Sequence, residues 1–288
     1  MMVHHRYATV QGRRLFYREA GPADAPVLVL LHGYPTSSFM FRGLIPALAD
    51  RYHVIAPDHL GFGLSDAPLV EEFDYTFDAL TELTAGLLDQ LGVTRYAIYV
   101  QDYGAPIGWR LALADPKAIT AIVTQNGNGY EAGFVPEFWE TVWAYHRDPE
   151  DESGIRTALT LEAVRWQYLT GVPDESLVSP DTWHHDVALL SRPGNDEIQL
   201  ALFRDYATNP PLYPALHEYL RAHRPPVLAV WGRGDEIFAP AGARAFADDV
   251  PDAEVHLLDG GHFLLESAGD EVAELIRDFL DRRLPAGR

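Results

Sequence analysis

Short, uninterrupted apolar runs separated by helix-like segments are the feature that most restricts the fold of this chain. Val27–Leu31 is one such run and Tyr96–Val100 is another. A strand reads as a continuous apolar run when both of its faces are buried, which is typical of parallel sheets covered by helices. The segment Ala79–Leu91, between two such runs, has apolar residues at helical spacing. Strands that alternate with helices predict right-handed crossovers and an α/β fold with a mainly parallel sheet.

The alternation of strands and helices stops in the middle of the chain. Residues 128–222 show no clear strand pattern, but they are rich in aromatic residues and include helical stretches such as Glu137–Tyr145 and Leu161–Leu169. Strand-like runs return after this segment. We therefore predict a core domain made of residues 1–127 and 223–288, interrupted by a helical cap domain of residues 128–222.

Bulk composition excludes several classes of function. The 288 residues carry a net charge of −20, whereas nucleic acids and anionic membranes are bound by positive surfaces. The chain contains no cysteine, which excludes disulfides and thiolate catalysis. No segment approaches the roughly 18 to 20 consecutive apolar residues of a membrane span, and the first residues lack the apolar stretch of a secretory signal. We expect a cytoplasmic protein, monomeric or homodimeric, with no nucleic-acid or membrane partner.

The junction Tyr96–Pro106 holds the first candidate for chemistry. A buried strand runs into Asp102, after which the small residues Gly104 and Ala105 open a helix. A strand, a tight turn and a helix, with the central residue pushed outward, form a nucleophile elbow. An aspartate at its tip can attack carbon directly and needs no base to activate it. An aspartate that caps the helix would give the same local pattern.

Two residues near the end of the chain favour the nucleophile over the helix cap. Asp235 follows an apolar run in a glycine-flanked turn, and His262 follows a pair of glycines after the next run. The order Asp102, Asp235, His262 is that of nucleophile, acid and base in α/β-hydrolases. His262 would deprotonate the water that hydrolyses an ester on Asp102, and Asp235 would fix the imidazole tautomer. The neighbouring acids Glu236 and Asp259 are expected to be solvated loop residues.

The turn after the first parallel strand supplies the expected oxyanion site. It reads His32-Gly33-Tyr34-Pro35 and lies at the same edge of the predicted sheet as the elbow. The backbone N–H groups of Tyr34 and Tyr103 are expected to point at the carboxylate oxygen that becomes negative during ester hydrolysis. His32 is interpreted as a structural hydrogen-bonding residue of the turn rather than as a catalyst.

Together these motifs resemble the α/β-hydrolases that use an aspartate nucleophile, namely epoxide hydrolases and haloalkane dehalogenases. The resemblance rests on the segments 32–38 and 57–66 and on Asp102, Asp235 and His262. It implies the α/β-hydrolase fold with an inserted helical cap and a covalent aspartyl-ester intermediate. The chemistry implied needs no cofactor, only a small apolar substrate and water, and we identify no metal-binding pattern in the sequence.

The same resemblance implies a halide site only in part. Haloalkane dehalogenases hold the leaving halide with a tryptophan directly after the nucleophile, and often with an asparagine between the glycine and the proline of the HGxP turn. This chain has Tyr103 and Tyr34 at those places. A phenol can donate a hydrogen bond, but it does not lie where an indole N–H would.

Epoxide hydrolases instead place two tyrosine hydroxyls of the cap against the oxygen of the opening ring. Tyr145, in the segment 145–149, is similar to the early tyrosine of the family, and Tyr206 lies 29 residues before Asp235, near the position of the late one. Tyr213 is the reserve candidate. The sequence therefore favours hydrolysis of an epoxide to a diol. Haloalkane dehalogenation is the first alternative, and a non-catalytic ligand-binding protein of the same fold is the second.

Overall fold

Eight strands form one sheet in a computed structural model that describes residues 2–284. Residue 1 and residues 285–288, which the sequence assigns to the core domain, lie outside the described residues. The strands are β1 (His4–Val10), β2 (Arg13–Ala20), β3 (Val27–Leu31), β4 (His53–Pro57), β5 (Tyr96–Val100), β6 (Ile119–Gln125), β7 (Val227–Gly232) and β8 (Glu254–Leu258).

The sheet is mainly parallel, as the apolar runs predict. Its strand order is β1-β2-β4-β3-β5-β6-β7-β8. β2 pairs antiparallel with β1 and with β4, and all the pairs from β4 to β8 are parallel. β5 and β7 are buried along their whole length, which is why their sequences are continuously apolar.

The described residues also contain ten α-helices. They are α1 (Leu44–Leu48), α2 (Phe77–Gln90), α3 (Gly104–Ala114), α4 (Pro136–Arg147), α5 (Leu161–Leu169), α6 (Asp181–Leu190), α7 (Asn195–Asp205), α8 (Tyr213–His223), α9 (Pro240–Asp249) and α10 (Leu264–Arg283). α1 packs on α10, while α2, α3, α8 and α9 pack side by side in a row. Within residues 2–284, no helix combines the length and the apolar character needed to cross a bilayer.

Helices α4–α7 and the short turns around them lie between β6 and the return of the chain to the sheet. We call residues 128–212 the helical insert. α8 lies within the segment that the sequence assigns to the cap, but it contacts α3 and α9. Packing therefore associates α8 with the core, whereas the cap boundary at residue 222 stays a prediction.

Candidate active site

Asp102 lies at the tip of the turn between β5 and α3. Its φ is +48°, a left-handed conformation that aspartate and asparagine tolerate better than most residues. A Cβ atom on Gly104 would lie 2.1 Å from the carbonyl oxygen of Leu31, and one on Gly33 would lie 2.3 Å from the Cβ of Asp102. The turn therefore requires glycine at both positions, and it pushes the Asp102 side chain away from the helix that follows.

The carboxylate of Asp102 is buried between backbone donors and an imidazole. Its Oδ1 accepts a hydrogen bond of 2.7 Å from the backbone N–H of Tyr34. Its Oδ2 lies 3.9 Å from Nε2 of His262. Burial raises the pKa of Asp102 to about 6, although the charge of His262 and the N–H groups of Tyr34 and Tyr103 lower it. One carboxylate oxygen is thus held, and the other faces the imidazole.

His262 lies between Asp102 and Asp235. Its Nδ1 is 3.0 Å from Oδ2 of Asp235, whose Oδ1 accepts hydrogen bonds from the N–H groups of Ile237 at 2.7 Å and Phe238 at 3.1 Å. Burial alone would lower the pKa of His262, but the attraction of Asp235 and then of Asp102 outweighs it, so this pKa is raised. The structure thus brings Asp102, His262 and Asp235 together, with the imidazole between the two carboxylates.

Asn126 is a member of this site that sequence reasoning missed. It follows β6 with a φ of +48°, and its Nδ2 donates a hydrogen bond of 2.6 Å to Oδ2 of Asp235. Its Oδ1 accepts one of 3.1 Å from the N–H of Gly232, at the end of β7. The sequence feature that could have indicated Asn126 is a polar residue directly after a buried strand. Asn126 fixes the carboxylate that holds His262.

Gln101 is a second residue that sequence reasoning missed. Its Nε2 lies 2.9 Å from Nε2 of His262, and its Oε1 is buried without a partner among the described residues. A glutamine amide offers a donor and an acceptor, so it can pair with the imidazole in either protonation state. Gln125 holds the same histidine from behind, because its Nε2 donates to the backbone oxygen of His262 at 3.0 Å.

His32 is a buried part of the turn around Gly33. Its Nε2 accepts a hydrogen bond of 3.1 Å from the N–H of His59, and its Nδ1 lies 3.0 Å from the carbonyl oxygen of Gly33. Burial lowers the pKa of His32 to about 4, so the ring is neutral at ordinary pH. Nδ1 is engaged within the turn and Nε2 by the segment that follows β4, which agrees with the structural interpretation.

The side chains of Tyr34 and Tyr103 differ in how their hydroxyls are used. The Tyr34 hydroxyl donates a hydrogen bond of 2.8 Å to the backbone oxygen of Ala158 in the helical insert. The Tyr103 hydroxyl is buried, and within residues 2–284 it has no partner. Burial and then the charge of Asp102 raise the pKa of Tyr103. Of these two tyrosines, only Tyr103 therefore has a hydroxyl donor that a ligand could accept from.

Tyr206 reaches the site from the turn after α7. Its ring centroid lies 5.8 Å from that of Tyr103 and 4.4 Å from that of Trp139. Its hydroxyl is buried and makes no well-formed hydrogen bond in the described part of the chain, and the phenol of Tyr213 lies beside it. Burial, then Tyr213 and Asp102, raise the pKa of Tyr206. The structure thus places this predicted tyrosine beside Tyr103, the residue that follows Asp102.

Among the described residues, Tyr145 makes none of the ring contacts that join Tyr206 to Tyr103 and Trp139. It lies near the end of α4 and is buried, and its pKa is raised by burial and then by the charge of Glu152, whereas Arg204 lowers it. These charges belong to surface residues of the insert. The reserve candidate Tyr213 begins α8, and its phenol lies beside that of Tyr206, whose pKa it raises.

Comparison with known proteins identifies the family. The sequence pattern described as alpha/beta hydrolase fold matches residues 26–268. The chain belongs to this family. An uncharacterised hydrolase of Saccharomyces cerevisiae is 46% identical to it, covering 94% of this chain and 95% of the yeast protein. A haloalkane dehalogenase of Mycobacterium marinum is 32% identical, covering 91% and 87%, and a cis-3-alkyl-4-alkyloxetan-2-one decarboxylase of Shewanella oneidensis is 28% identical, covering 93% and 86%.

Solved structures of both expected classes are similar to this chain. Haloalkane dehalogenase DbeA from Bradyrhizobium elkani is 25% identical with a TM-score of 0.79, covering 98% of this chain and 100% of its own. Epoxide hydrolase A from Mycobacterium thermoresistibile is 25% identical with a TM-score of 0.77, covering 97% and 98%. The α/β-hydrolase fold and the relationship to these two groups, both expected from the motifs, are confirmed. The protein is a hydrolase of this fold.

Proposed function

We propose that this hydrolase converts an epoxide to a diol through an ester intermediate on Asp102. The observation that carries the proposal is the pair of buried phenols of Tyr103 and Tyr206, whose hydroxyls make no well-formed hydrogen bond within residues 2–284. Buried polar groups are normally hydrogen-bonded, so two unpartnered donors near a nucleophile suggest a place that a substrate oxygen completes. An epoxide supplies such an oxygen as its ring opens.

In the first step, Oδ2 of Asp102 attacks a ring carbon and the epoxide C–O bond breaks. The released oxygen takes a proton from Tyr206, with Tyr103 donating a second hydrogen bond. Oδ1 is already held by the N–H of Tyr34, so it becomes the carbonyl oxygen of the ester. Because negative charge leaves Asp102 during the attack, one of the influences that raise the pKa of Tyr206 disappears and proton transfer becomes easier.

In the second step, His262 activates water. The charge of Asp102 contributes to the raised pKa of His262, so esterification lowers this pKa and turns the imidazole into a base. The resulting hydroxide attacks the ester carbonyl carbon, and the N–H groups of Tyr34 and Tyr103 stabilise the negative charge that forms on Oδ1. The intermediate collapses, and the departing alkoxide takes the proton of the hydroxyl group that water supplied, so the diol leaves and Asp102 regains its charge. The proton on His262 returns to the phenolate of Tyr206.

In this proposal the helical insert serves as a cap. It contributes Tyr206, and it binds the core turn through the hydrogen bond from Tyr34 to Ala158. That bond also bears on the rival activity, haloalkane dehalogenation, to which the relative from Mycobacterium marinum points. Tyr34 stands where haloalkane dehalogenases often have the halide-binding asparagine, and its hydroxyl already donates to Ala158. Of the two positions that would bind a halide, only Tyr103 therefore has a free donor.

A paired assay on the purified protein tests the proposal. We expect diol formation from a terminal epoxide such as styrene oxide and no comparable halide release from a 1-haloalkane of similar size. Tyr206→Phe should slow diol formation. Halide release that equals or exceeds diol formation, and that is unchanged in Tyr206→Phe, would overturn the epoxide assignment in favour of dehalogenation. Tyr145→Phe tests the other predicted tyrosine, whose role in ring opening stays a prediction.

A further inference from the structure

A cleft with a volume of about 660 Å³ opens on the helical insert. We call it the insert cleft, and it lies between α4, α5 and the turn 155–159. Its volume is typical of small-molecule sites. Its apolar lining includes Phe138, Val142, Ile155, Ala163, Trp166 and Phe203. Trp166 is 37% exposed, so a large aromatic surface faces the solvent there.

The inner wall of the insert cleft is in contact with the candidate active site. Ala158 lines the cleft and accepts the hydrogen bond from the Tyr34 hydroxyl. Phe203 also lines it, and its ring centroid lies 5.0 Å from that of Tyr34 and 6.2 Å from that of Tyr103. Glu236, at the cleft edge, directly follows the acid that holds the imidazole. A single layer of side chains thus separates the cleft from the residues around the nucleophile.

The charged residues that line the insert cleft are all acidic. Glu137, Glu162 and Glu236 line it and are exposed, and none of the lining residues is basic. Carboxylates grouped around a cleft with apolar walls create a negative potential that attracts cations and repels anions. The chain as a whole carries a net charge of −20, which adds to the same potential at long range.

We propose that the insert cleft binds the far end of the substrate, and that this end is an apolar chain terminated by a cationic group. The reactive end then reaches Asp102 when the side chain of Phe203, which forms part of the inner wall, turns aside. The assignment of the reactive end rests on the proposed function, whereas selection by charge depends on the cleft alone. A substrate whose far end is a carboxylate is disfavoured by the three glutamates.

Three terminal epoxides of equal chain length test this proposal. Their far ends are a trimethylammonium, a methyl and a carboxylate group. We expect kcat/KM to fall in that order, with about a tenfold or greater difference between the cationic and the anionic substrate at low ionic strength. The difference should shrink in 0.5 M salt, because exposed charges are then screened. Equal kcat/KM for the cationic and the anionic substrate would overturn the proposal.

A matched pair of triple variants separates the insert cleft from net charge. Glu137→Gln/Glu162→Gln/Glu236→Gln removes three charges from the cleft and should reduce the preference to within about threefold. The control removes three charges from α2, α8 and α10 as Glu82→Gln/Glu218→Gln/Glu274→Gln, and it should keep the preference. An equal loss of preference in both variants would contradict a role for the cleft.

Binding of unreactive ligands keeps the test independent of the reaction. Decyltrimethylammonium should quench the fluorescence of Trp166 at a lower concentration than decanoate does, and Trp166→Phe should remove that part of the signal. The cleft triple variant should bind the two ligands alike. If no epoxide is turned over, the proposed function fails, and this measurement still decides the charge preference. Tighter binding of decanoate to the unmodified protein would refute it.

Discussion

The core sheet and the helical insert contribute to the candidate site in different ways. In the core, Asp102, Asn126, Asp235 and His262 follow β5, β6, β7 and β8, which are neighbours in the sheet. The ladder of backbone hydrogen bonds therefore fixes their spacing. In the insert, Tyr206 is positioned by side-chain packing, with its ring among those of Trp139, Tyr103 and other aromatic residues. We infer that the core determines the bond made and hydrolysed, and that the insert determines the substrate.

The largest effect is expected at Asp102, the proposed nucleophile of the core. Asp102→Asn should lower turnover by about 10⁴-fold or more, because an amide does not attack carbon as a carboxylate does. Asparagine tolerates the φ of +48°, so the turn should persist. Steady-state diol formation measures the loss. Asp89→Asn, an exposed change on α2, serves as the control, and activity of Asp102→Asn near that of the control would remove Asp102 from the mechanism.

A smaller effect is expected in the insert, and there it should depend on the residue chosen. Tyr206→Phe should lower kcat for an epoxide by about 10- to 100-fold, because the phenol that gives its proton to the opening ring is lost while the hydrogen bond from Tyr103 remains. Tyr145→Phe should change it less than threefold, since the charges that act most on Tyr145 are those of Glu152 and Arg204. Single-turnover measurements of ester formation distinguish the two. The reverse order of effects would show that α4, and not the turn after α7, faces the substrate.

Asn126 tests whether the core works as one unit. Asn126→Gly keeps a residue that adopts positive φ but removes the hydrogen bond of 2.6 Å to Asp235. A hydrogen bond to a charged group contributes about 1.5 kcal/mol or more, so ester hydrolysis should slow by about tenfold. Ester formation should be little changed, because Asp102 does not contact Asn126 through its side chain. Equal slowing of both steps would indicate general disruption of the sheet edge instead.

The dependence on pH follows from the raised pKa of Asp102. Attack requires the carboxylate, so the rate of ester formation should fall as the pH drops through about 6. The effect of the ionised Asp102 side chain on stability is opposite to that of a typical aspartate, whose pKa is lower in the folded state than in the unfolded state. Because burial raises this pKa from 3.8 to about 6, the ionised group destabilises the folded state above pH 6, and this cost disappears below pH 4.

Removal of the same charge should therefore stabilise the protein. A rise of this size corresponds to at most about 3 kcal/mol at about 1.4 kcal/mol per pKa unit. Asp102→Asn should raise the free energy of unfolding by about 1 to 3 kcal/mol at pH 8 and by much less at pH 4.5, as measured by urea unfolding. A variant that is less stable than the unmodified protein at pH 8 would contradict the raised pKa.

The same contrast explains what the sequence could predict. Asp102 and Asp235 follow buried, continuously apolar strands, and His262 follows a pair of glycines after the half-buried edge strand β8, so all three positions are marked locally. Asn126 carries the same mark, but its role depends on Asp235, which is far away in sequence and lies across the sheet. A polar residue after a strand is interpreted as an ordinary loop residue unless the structure shows the side chain to which it is hydrogen-bonded.

The insert gives weaker signals because aromatic residues at helical spacing fit several packings. α4 and α5 were anticipated from that spacing, whereas α6 and α7 were not. Nothing local distinguishes Tyr145 from Tyr206, because the direction of each phenol depends on how the helices of the insert pack on the core. The unpartnered hydroxyl of Tyr103 was likewise not visible from sequence, since a tyrosine after the nucleophile gives no indication of its hydrogen bonds.

The central claim, a covalent ester on Asp102, is tested most directly by trapping it. His262→Gln removes the base that hydrolyses the ester but leaves Oδ2 of Asp102 free to attack. Intact-protein mass spectrometry after incubation with styrene oxide should show the mass of one substrate added, located by peptide mapping to the segment that contains Asp102 and absent from Asp102→Asn/His262→Gln. An unmodified His262→Gln protein that still forms diol would contradict the two-step mechanism.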